Sequence, residues 1–186
     1  FLHQRQYAID ILERAGMSDC KPCSTPVDTQ AKLSEDDGPP VADATSYRSL
    51  TCALQYLTFS RPDITYAVQQ VAFNAHPTVP HLTALKRILC YLWGSLDYDL
   101  LLRPSSTSDL VVYTDATGWL PRHATLYPGY AVFLGANLVP WAAKRQPVVS
   151  RSSVEAEYRV VANGVAKASW MRQLLHELYS PLQRAT

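Results

Sequence analysis

The sequence predicts an α+β protein, in which a helical region precedes a smaller unit of three antiparallel strands and one long helix. Apolar residues recur at helical spacing in four segments before residue 95. Three short apolar runs separated by turn residues follow residue 109, and a long helical stripe follows residue 152. The polar stretch 104–108 has no periodicity, so we expect the boundary between the two parts there, with domains over 1–105 and 106–186.

The composition allows a packed core and argues against several classes of function. Of the 186 residues, 47% are hydrophobic and 18% are charged, and the formal net charge is +1. This balance gives no overall attraction to nucleic acid, so such binding would require a local basic patch. No apolar run approaches the roughly 18 residues of a membrane span, and no glycine-rich phosphate loop is present. Because the chain begins at Phe1, we expect it to be a piece of a longer product.

Four cysteines are present, and two of them are closely spaced. The spacing of Cys20-Lys-Pro-Cys23 is compatible with a redox pair or with half of a zinc site. No second pair accompanies it, because Cys52 and Cys90 stand alone. We therefore interpret the cysteines as loop thiols in a reducing compartment.

The first part is predicted to consist of helices joined by a long polar linker. Its apolar stripes predict helices over 4–15, 46–59, from residue 60 onward, and over 81–93. Gly16 supplies a stop for the first helix, and Pro62 suits the first turn of the third. The linker 18–45 is rich in Pro, Ser, Asp and Thr, and a short strand is expected over 97–102.

The second part is predicted to be a three-stranded sheet covered by one helix. Strands are expected over 111–116, 129–134 and 138–144, and the helix over 152–179. The predicted helix carries a nearly continuous apolar stripe, which we expect to cover the sheet: Val154, Tyr158, Val161, Val165, Ala168, Leu175 and Leu178.

Two carboxylates stand at the ends of these predicted elements. Asp115 follows a hydrophobic strand, where it is either a metal ligand or an ordinary turn residue. Glu155 lies in the first turn of the last helix, where Ser152-Ser-Val-Glu155 also forms a capping box. Glu157 is two residues further on, about 200° around the helix, and cannot share the face of Glu155.

The sequence motifs around these acids are similar to those of a known family. The sequence contains, in order, Tyr113-Thr-Asp-Ala, Gly129-Tyr-Ala-Val-Phe-Leu, Lys144-Arg-Gln-Pro and Ser150-Arg-Ser-Ser-Val-Glu-Ala-Glu-Tyr-Arg. Together these phrases resemble the ribonuclease H region of copia-type LTR retrotransposon Pol polyproteins. Residues 1–105 resemble the reverse-transcriptase thumb and connection region, with no polymerase Asp-Asp signature in a strand.

The resemblance implies magnesium-dependent cleavage of RNA in an RNA–DNA hybrid. It implies that Asp115 and Glu155 are catalytic metal ligands, because the family pattern favours the first Glu of Glu-Ala-Glu-Tyr. A two-metal nuclease needs several carboxylates on one spot, and the family supplies a further Asp after this helix. We therefore expect a catalytically incomplete partial ribonuclease H-like unit. The implied partners are nucleic acid and the rest of the polyprotein, in a cytoplasmic particle or nucleus and not secreted.

A non-catalytic module is the alternative. In this interpretation the chain is a remnant that binds nucleic acid or another protein. The residues expected to contact phosphates are basic: Lys86, Arg87, Lys144, Arg145 and Arg151.

Residues 117–127 depart from the family wording. They place Trp, Leu, Pro and Tyr where an exposed turn is expected, which is unfavourable turn chemistry. Our hypothesis is that this stretch is translated out of frame, between two compensating small insertions or deletions.

Overall fold

The computed structural model describes residues 1–28, 33, 38–72, 76–105, 109–117, 127–143, 152–180 and 182. The chain divides into two compact units, Phe1–Leu100 and Leu101–Thr186. The described residues form five α-helices, a short 3-10 helix and a three-stranded antiparallel sheet, so the predicted α+β class is confirmed.

The first unit is helical, as the periodicity predicts. Its elements are α1 (Arg5–Arg14), α2 (Ala44–Leu57), a 3-10 helix (Pro62–Ile64), α3 (Thr65–Ala72) and α4 (Val79–Gly94). Gly16 adopts φ +63°, a conformation that glycine reaches without strain, and the chain leaves α1 there. Helix α2 begins earlier than expected because the Asp43 side chain accepts hydrogen bonds from the amides of Thr45 (3.0 Å) and Ser46 (2.9 Å).

The core of the first unit takes one apolar stripe from each helix. Ile11 of α1, Leu54 of α2, Val68 of α3 and Leu89 of α4 are all buried in it. Tyr47 is buried as well, and its hydroxyl donates a 2.7 Å hydrogen bond to the carbonyl of Val71. This bond satisfies the only polar atom of an otherwise apolar ring inside the core.

A buried cation joins the 3-10 helix to the end of α4. Arg61 is 4% exposed, and its guanidinium donates to Asp63 (2.7 Å), to the Ser95 carbonyl (2.9 Å) and to the Ser95 hydroxyl (2.6 Å). Burial alone would raise the pKa of Asp63, but the hydrogen bonds and charge of Arg61 outweigh it and lower that pKa. The Tyr91 hydroxyl donates to Asp63 (2.9 Å), and burial followed by this bond raises the pKa of Tyr91 to about 12.

The strand expected over 97–102 is wrong. Among the described residues of this stretch, Leu100 makes an isolated antiparallel bridge with Leu2, through two backbone bonds of 2.9 and 3.0 Å. The chain is still in a turn at Asp97, and the partner of Leu100 is a single residue near the start of the chain, so no ladder develops.

The second unit is a meander of three strands followed by a helix. Its elements are β1 (Leu110–Thr117), β2 (Tyr127–Leu134), β3 (Asn137–Ala143) and α5 (Ser153–Glu177). The strands pair antiparallel in the order β1-β2-β3. Gly135, at φ +57°, turns the chain between β2 and β3. The three predicted strands and the long helix are confirmed, with ends shifted by one or two residues.

The predicted sheet-facing stripe of α5 is wrong. Tyr158 is 73% exposed and Val165 is 59% exposed, and Val154, Val161 and Leu178 also lie at the surface. A different line of α5 covers the sheet, and its buried members are Ala156, Val160, Gly164 and Met171. Only Ala168 and Leu175 of the predicted stripe pack against the core of this unit.

Small residues explain why this line, and not the more apolar one, faces the sheet. An added Cβ on Gly164 would lie 2.6 Å from Cγ2 of Thr114 and 3.2 Å from Cγ1 of Val112. The helix backbone therefore approaches β1 too closely for a side chain at this position. Glycine allows that approach at position 164, whereas a valine or tyrosine at the point of closest approach would hold the helix away from the strand.

Candidate functional site

The first turns of α5 lie at the end of β1 that carries Asp115. Gly164 is beside Thr114 and Val112, and Met171 packs in the same cluster as Leu110. Helix α5 therefore runs antiparallel to β1, and its N-terminus lies toward the C-terminal end of the strand. This is the general arrangement that the sequence predicts for a strand acid and a helix acid.

Strand alternation separates the Asp115 side chain from α5. Thr114 faces the helix through the contact with Gly164, and successive side chains of a strand point to opposite faces. Asp115 thus lies on the face of the sheet opposite α5, together with Tyr113, whose ring meets that of Phe133 edge-on at 5.7 Å. Asp115 is exposed, and its Cα partner across the ladder is Gly129.

Glu155 projects from the far side of α5. It lies nine positions before Gly164, which corresponds to a rotation of about 180° around the helix axis. Its carboxylate accepts a 2.6 Å hydrogen bond from Arg159, and its backbone amide donates to the hydroxyl of Ser152 (3.1 Å), which caps the helix. The contacts shown therefore give Glu155 a role in starting the helix.

Glu157 projects from the sheet-facing side of α5. It lies seven positions before Gly164, which corresponds to nearly two full turns of the helix. Glu157 therefore points within about 20° of the direction in which Gly164 faces the sheet. Glu157 is exposed. The helix phase thus favours Glu157 over the expected Glu155 as the helix acid nearest to the end of β1. Counting positions back from the glycine would have identified it in the sequence.

The described residues do not assemble a metal site. No group of three or more His, Cys, Asp or Glu side chains among them could hold a metal ion. Asp115, Glu155 and Glu157 come from neighbouring elements, but Asp115 lies on the face of the sheet opposite α5 and Glu155 on the outer side of the helix. The residues that are described do not fit a two-metal centre.

The basic residues that were predicted to contact nucleic acid have different environments in the structure. Lys86 is exposed on α4. The Arg87 guanidinium instead donates to the Thr25 carbonyl (3.2 Å) and hydroxyl (2.8 Å) and lies 3.8 Å from a carboxylate oxygen of Asp28. Arg87 therefore fastens the segment before residue 29 to α4. The remaining basic residues of the prediction, Lys144, Arg145 and Arg151, lie outside the described residues, as do 118–126 of the proposed out-of-frame stretch.

One edge of β1 has no described strand beside it. The Asp109 carbonyl accepts a 2.8 Å hydrogen bond from the Gly135 amide, so odd-numbered residues of this stretch direct their backbone groups toward β2. The backbone groups of Leu110, Val112 and Thr114 consequently point to the other edge. We call this row of backbone groups the open edge of β1.

The exposed apolar stripe of α5 lies on the same side as that open edge. Viewed from its N-terminus, successive residues of a right-handed helix advance clockwise. Val112 and Thr114 face α5 from β1, which runs antiparallel to the helix. The residues that lie clockwise of the sheet-facing line of α5 are therefore on the side of the open edge and project outward beyond β1. They form the exposed α5 stripe, which consists of Val154, Tyr158, Val161 and Val165. Sequence reasoning found the stripe and assigned it to the wrong surface.

Known proteins resemble nearly the whole chain. The Retrovirus-related Pol polyprotein from transposon RE2 of Arabidopsis thaliana is 42% identical over 180 residues, which are 95% of this chain and 12% of that protein. The Retrovirus-related Pol polyprotein from transposon RE1 of the same plant is 43% identical over 98% of this chain and 13% of its own length. The Uncharacterized mitochondrial protein AtMg00810, also from Arabidopsis thaliana, is 42% identical over 91% of this chain and 71% of its own length.

The chain thus spans only about an eighth of the length of the two polyproteins. No protein-family model matches the sequence, and no solved structure shows a significant match. Of the helices that the structure describes, none has the length and apolar character needed to cross a lipid bilayer.

Proposed function

Because the chain is 42–43% identical, over at least 95% of its length, to retrovirus-related Pol polyproteins from transposons, we propose that it is a Pol segment joining two functional regions. Residues 1–105 are the thumb and connection part of a reverse transcriptase, and residues 106–186 are the first half of a ribonuclease H-like domain. The 43% identity over 98% of the chain carries the proposal. The order of three antiparallel strands and a long helix supports its second half.

The ancestral reaction in this proposal is magnesium-dependent cleavage of RNA in an RNA–DNA hybrid. Two Mg²⁺ ions would stabilise the attacking and leaving oxygens of the phosphodiester. Asp115 and Glu157 are the residues that the chain would contribute toward such a centre, the glutamate being chosen by its helix phase. Two carboxylates on different faces are too few for two hard cations that each require several oxygen ligands. The chain by itself is therefore catalytically incomplete.

A cleavage assay tests the missing activity. The full chain, Asp115→Asn and Glu157→Gln are incubated with a labelled RNA–DNA hybrid in Mg²⁺ and in EDTA. We expect no Mg²⁺-dependent cleavage by any of the three proteins. Glu155→Gln serves as the matched control, because Glu155 lies on the outer side of the same helix. Cleavage that requires Mg²⁺ and disappears in Asp115→Asn would refute the proposed incompleteness.

The rest of the polyprotein is the partner that this unit requires. The open edge of β1 offers unpaired backbone donors and acceptors to a further strand. The exposed α5 stripe lies beside it and offers apolar side chains to whatever follows that strand. Helix α5 ends near the start of β1, where Leu182 packs against the cluster of Leu110, Val132 and Met171. We propose that polyprotein residues following this chain occupy both surfaces.

A longer product tests this docking. In a chain extended by the polyprotein residues that follow, we expect slower amide hydrogen exchange at Val112 and Thr114 than in the present chain. Val161→Asp should weaken this protection, because it places a charge in the covered stripe. Asn163→Asp places the same charge on an exposed neighbouring position of α5 and should leave the protection unchanged. Equal exchange in the short and extended chains would contradict the docking.

The alternative of a non-catalytic nucleic-acid-binding module gains no support from the described contacts. Arg87 is engaged with Thr25 and Asp28, which leaves Lys86 as the exposed member of the pair on α4. Two results together would support this alternative. The chain would bind the hybrid with an affinity that falls steeply with salt, and Asp115→Asn would bind as well as wild type. A filter-binding experiment on the same hybrid, run beside the cleavage assay, separates nucleic-acid binding from catalysis.

A further inference from the structure

Arg87 of α4 and Thr25 of the segment after α1 form a close contact at the surface of the first unit. The guanidinium donates through Nη2 to the Thr25 hydroxyl (2.8 Å) and through Nε to the Thr25 carbonyl (3.2 Å). Its third nitrogen, Nη1, lies 3.8 Å from a carboxylate oxygen of Asp28. The Thr25 hydroxyl is therefore beside a positive charge, and the Asp28 carboxylate is more distant from that charge.

The Thr25 hydroxyl is also accessible to an enzyme. Thr25 is exposed, and residues 20–28 contain no helix or strand. Pro26 follows it, and a proline disfavours helical backbone in the residue before it. The contacts that hold this stretch to α4 are weak, because the Cys23 amide lies 3.4 Å from the Cys90 carbonyl and the pair of Arg87 and Asp28 is partly exposed. Local opening of such contacts gives a protein kinase an extended substrate.

Independently of the proposed function, we infer that Thr25 is a phosphorylation site, modified by a protein kinase that requires proline after its target, and that Arg87 receives the phosphate. The Thr25 oxygen attacks the γ-phosphorus of a nucleoside triphosphate. The bond from this phosphorus to the bridging oxygen breaks, and the nucleoside diphosphate leaves. The hydroxyl proton passes to the base of the kinase.

The phosphate would strengthen the contact between the segment and α4. A phosphothreonine carries a charge of about −1.5 to −2 at neutral pH and three acceptor oxygens. Here it would be attached to an oxygen that already accepts from Arg87 at 2.8 Å, and guanidinium groups bind phosphate through paired hydrogen bonds. Asp28 would be repelled from the same guanidinium. Phosphorylation should therefore hold the segment against α4 more tightly.

Phosphopeptide mapping tests the site. The full chain is incubated with ATP, Mg²⁺ and a proline-directed kinase, digested with trypsin and sequenced by mass spectrometry. We expect phosphate on Thr25 in the tryptic peptide 15–32, lost in Thr25→Ala and retained in the matched control Ser24→Ala. Ser180 also precedes a proline and lies in the tryptic peptide 173–184, so it serves as an internal comparison. A synthetic peptide 15–32 measures what the sequence alone contributes.

Amide hydrogen exchange tests the role of Arg87. The Cys23 amide bonds to α4 two residues before Thr25, so it reports on docking of the segment. Phosphorylation should slow its exchange by roughly tenfold, the factor expected for a hydrogen bond to a charged group. Arg87→Gln should abolish this slowing. Lys86→Gln removes the same charge from an exposed neighbouring position of α4 and should preserve it.

Other results would overturn the inference. Phosphate on Ser24 or Ser180 and not on Thr25 would reject the site. Labelling of the synthetic peptide but not of the chain would show that the fold closes it. Unchanged exchange at Cys23 after phosphorylation, or equal slowing in Arg87→Gln and Lys86→Gln, would reject Arg87 as the phosphate partner. The wild-type phosphopeptide map identifies the modified residue even if a variant fails to fold.

Discussion

Replacing Gly164 by alanine tests how closely α5 packs on β1. On an isolated helix the substitution would stabilise by about 1 kcal/mol, because glycine is a poor helix former. Here the new Cβ would lie 2.6 Å from Cγ2 of Thr114, about 1 Å inside the ordinary separation of carbon atoms. Overpacking of this kind typically costs about 1–3 kcal/mol. After subtraction of the helix gain, we expect a net destabilisation of up to about 2 kcal/mol and a urea midpoint of the second unit lower by up to roughly 1 M.

The assay must report on the second unit alone, since the chain has two units and need not unfold in one step. Hydrogen exchange of α5 peptides at increasing urea provides this. Asn163→Ala is the control, because it improves helix propensity at an exposed position and should stabilise slightly. Thr114→Ser removes the methyl that the new Cβ meets, so the double variant should recover part of the loss. If Gly164→Ala stabilises α5 as much as the control does, the close approach is refuted.

Three further predictions concern single side chains. Asp63→Asn should destabilise the first unit by about 2–4 kcal/mol at neutral pH, because Arg61 is left buried without its counter-charge. The pKa of Asp63 is lowered on folding, so this difference should be present above the unfolded-state pKa and shrink as acid protonates the wild-type carboxyl, as urea midpoints against pH will show. Tyr47→Phe removes the donor to the Val71 carbonyl and should lower stability by about 1–2 kcal/mol in urea unfolding. Ser152→Ala should cost about 1 kcal/mol and accelerate hydrogen exchange in the first turn of α5.

The regular elements were predictable because their signals are local. Helical spacing of apolar residues identified all five helices, and Gly16 and the Gly135 turn follow from glycine's access to positive φ. The strand expected over 97–102 failed because a run of leucines after a turn does not by itself supply a partner strand. Strand pairing is a long-range property, and Leu100 finds only Leu2.

The orientation of α5 was not predictable from hydrophobicity. A hydrophobic stripe predicts which side of a helix prefers to leave water, and here that preference pointed to Val161 and Val165. The packing instead follows the small residues around Gly164, because the distance between helix and strand decides which side chains fit. The preference for Glu155 over Glu157 came from the family pattern, and the helix phase that favours Glu157 becomes visible only once the contact at Gly164 is known.

The open edge of β1 has a consequence for handling the protein in solution. Any second copy carries the same row of unpaired backbone groups and the same exposed α5 stripe. A two-fold arrangement would let two such edges pair and join two three-stranded sheets into one of six strands. When no other segment pairs with this edge, two copies of the protein can pair through it. We therefore expect self-association that increases with protein concentration. Sedimentation over a dilution series is the natural companion to every stability measurement on it.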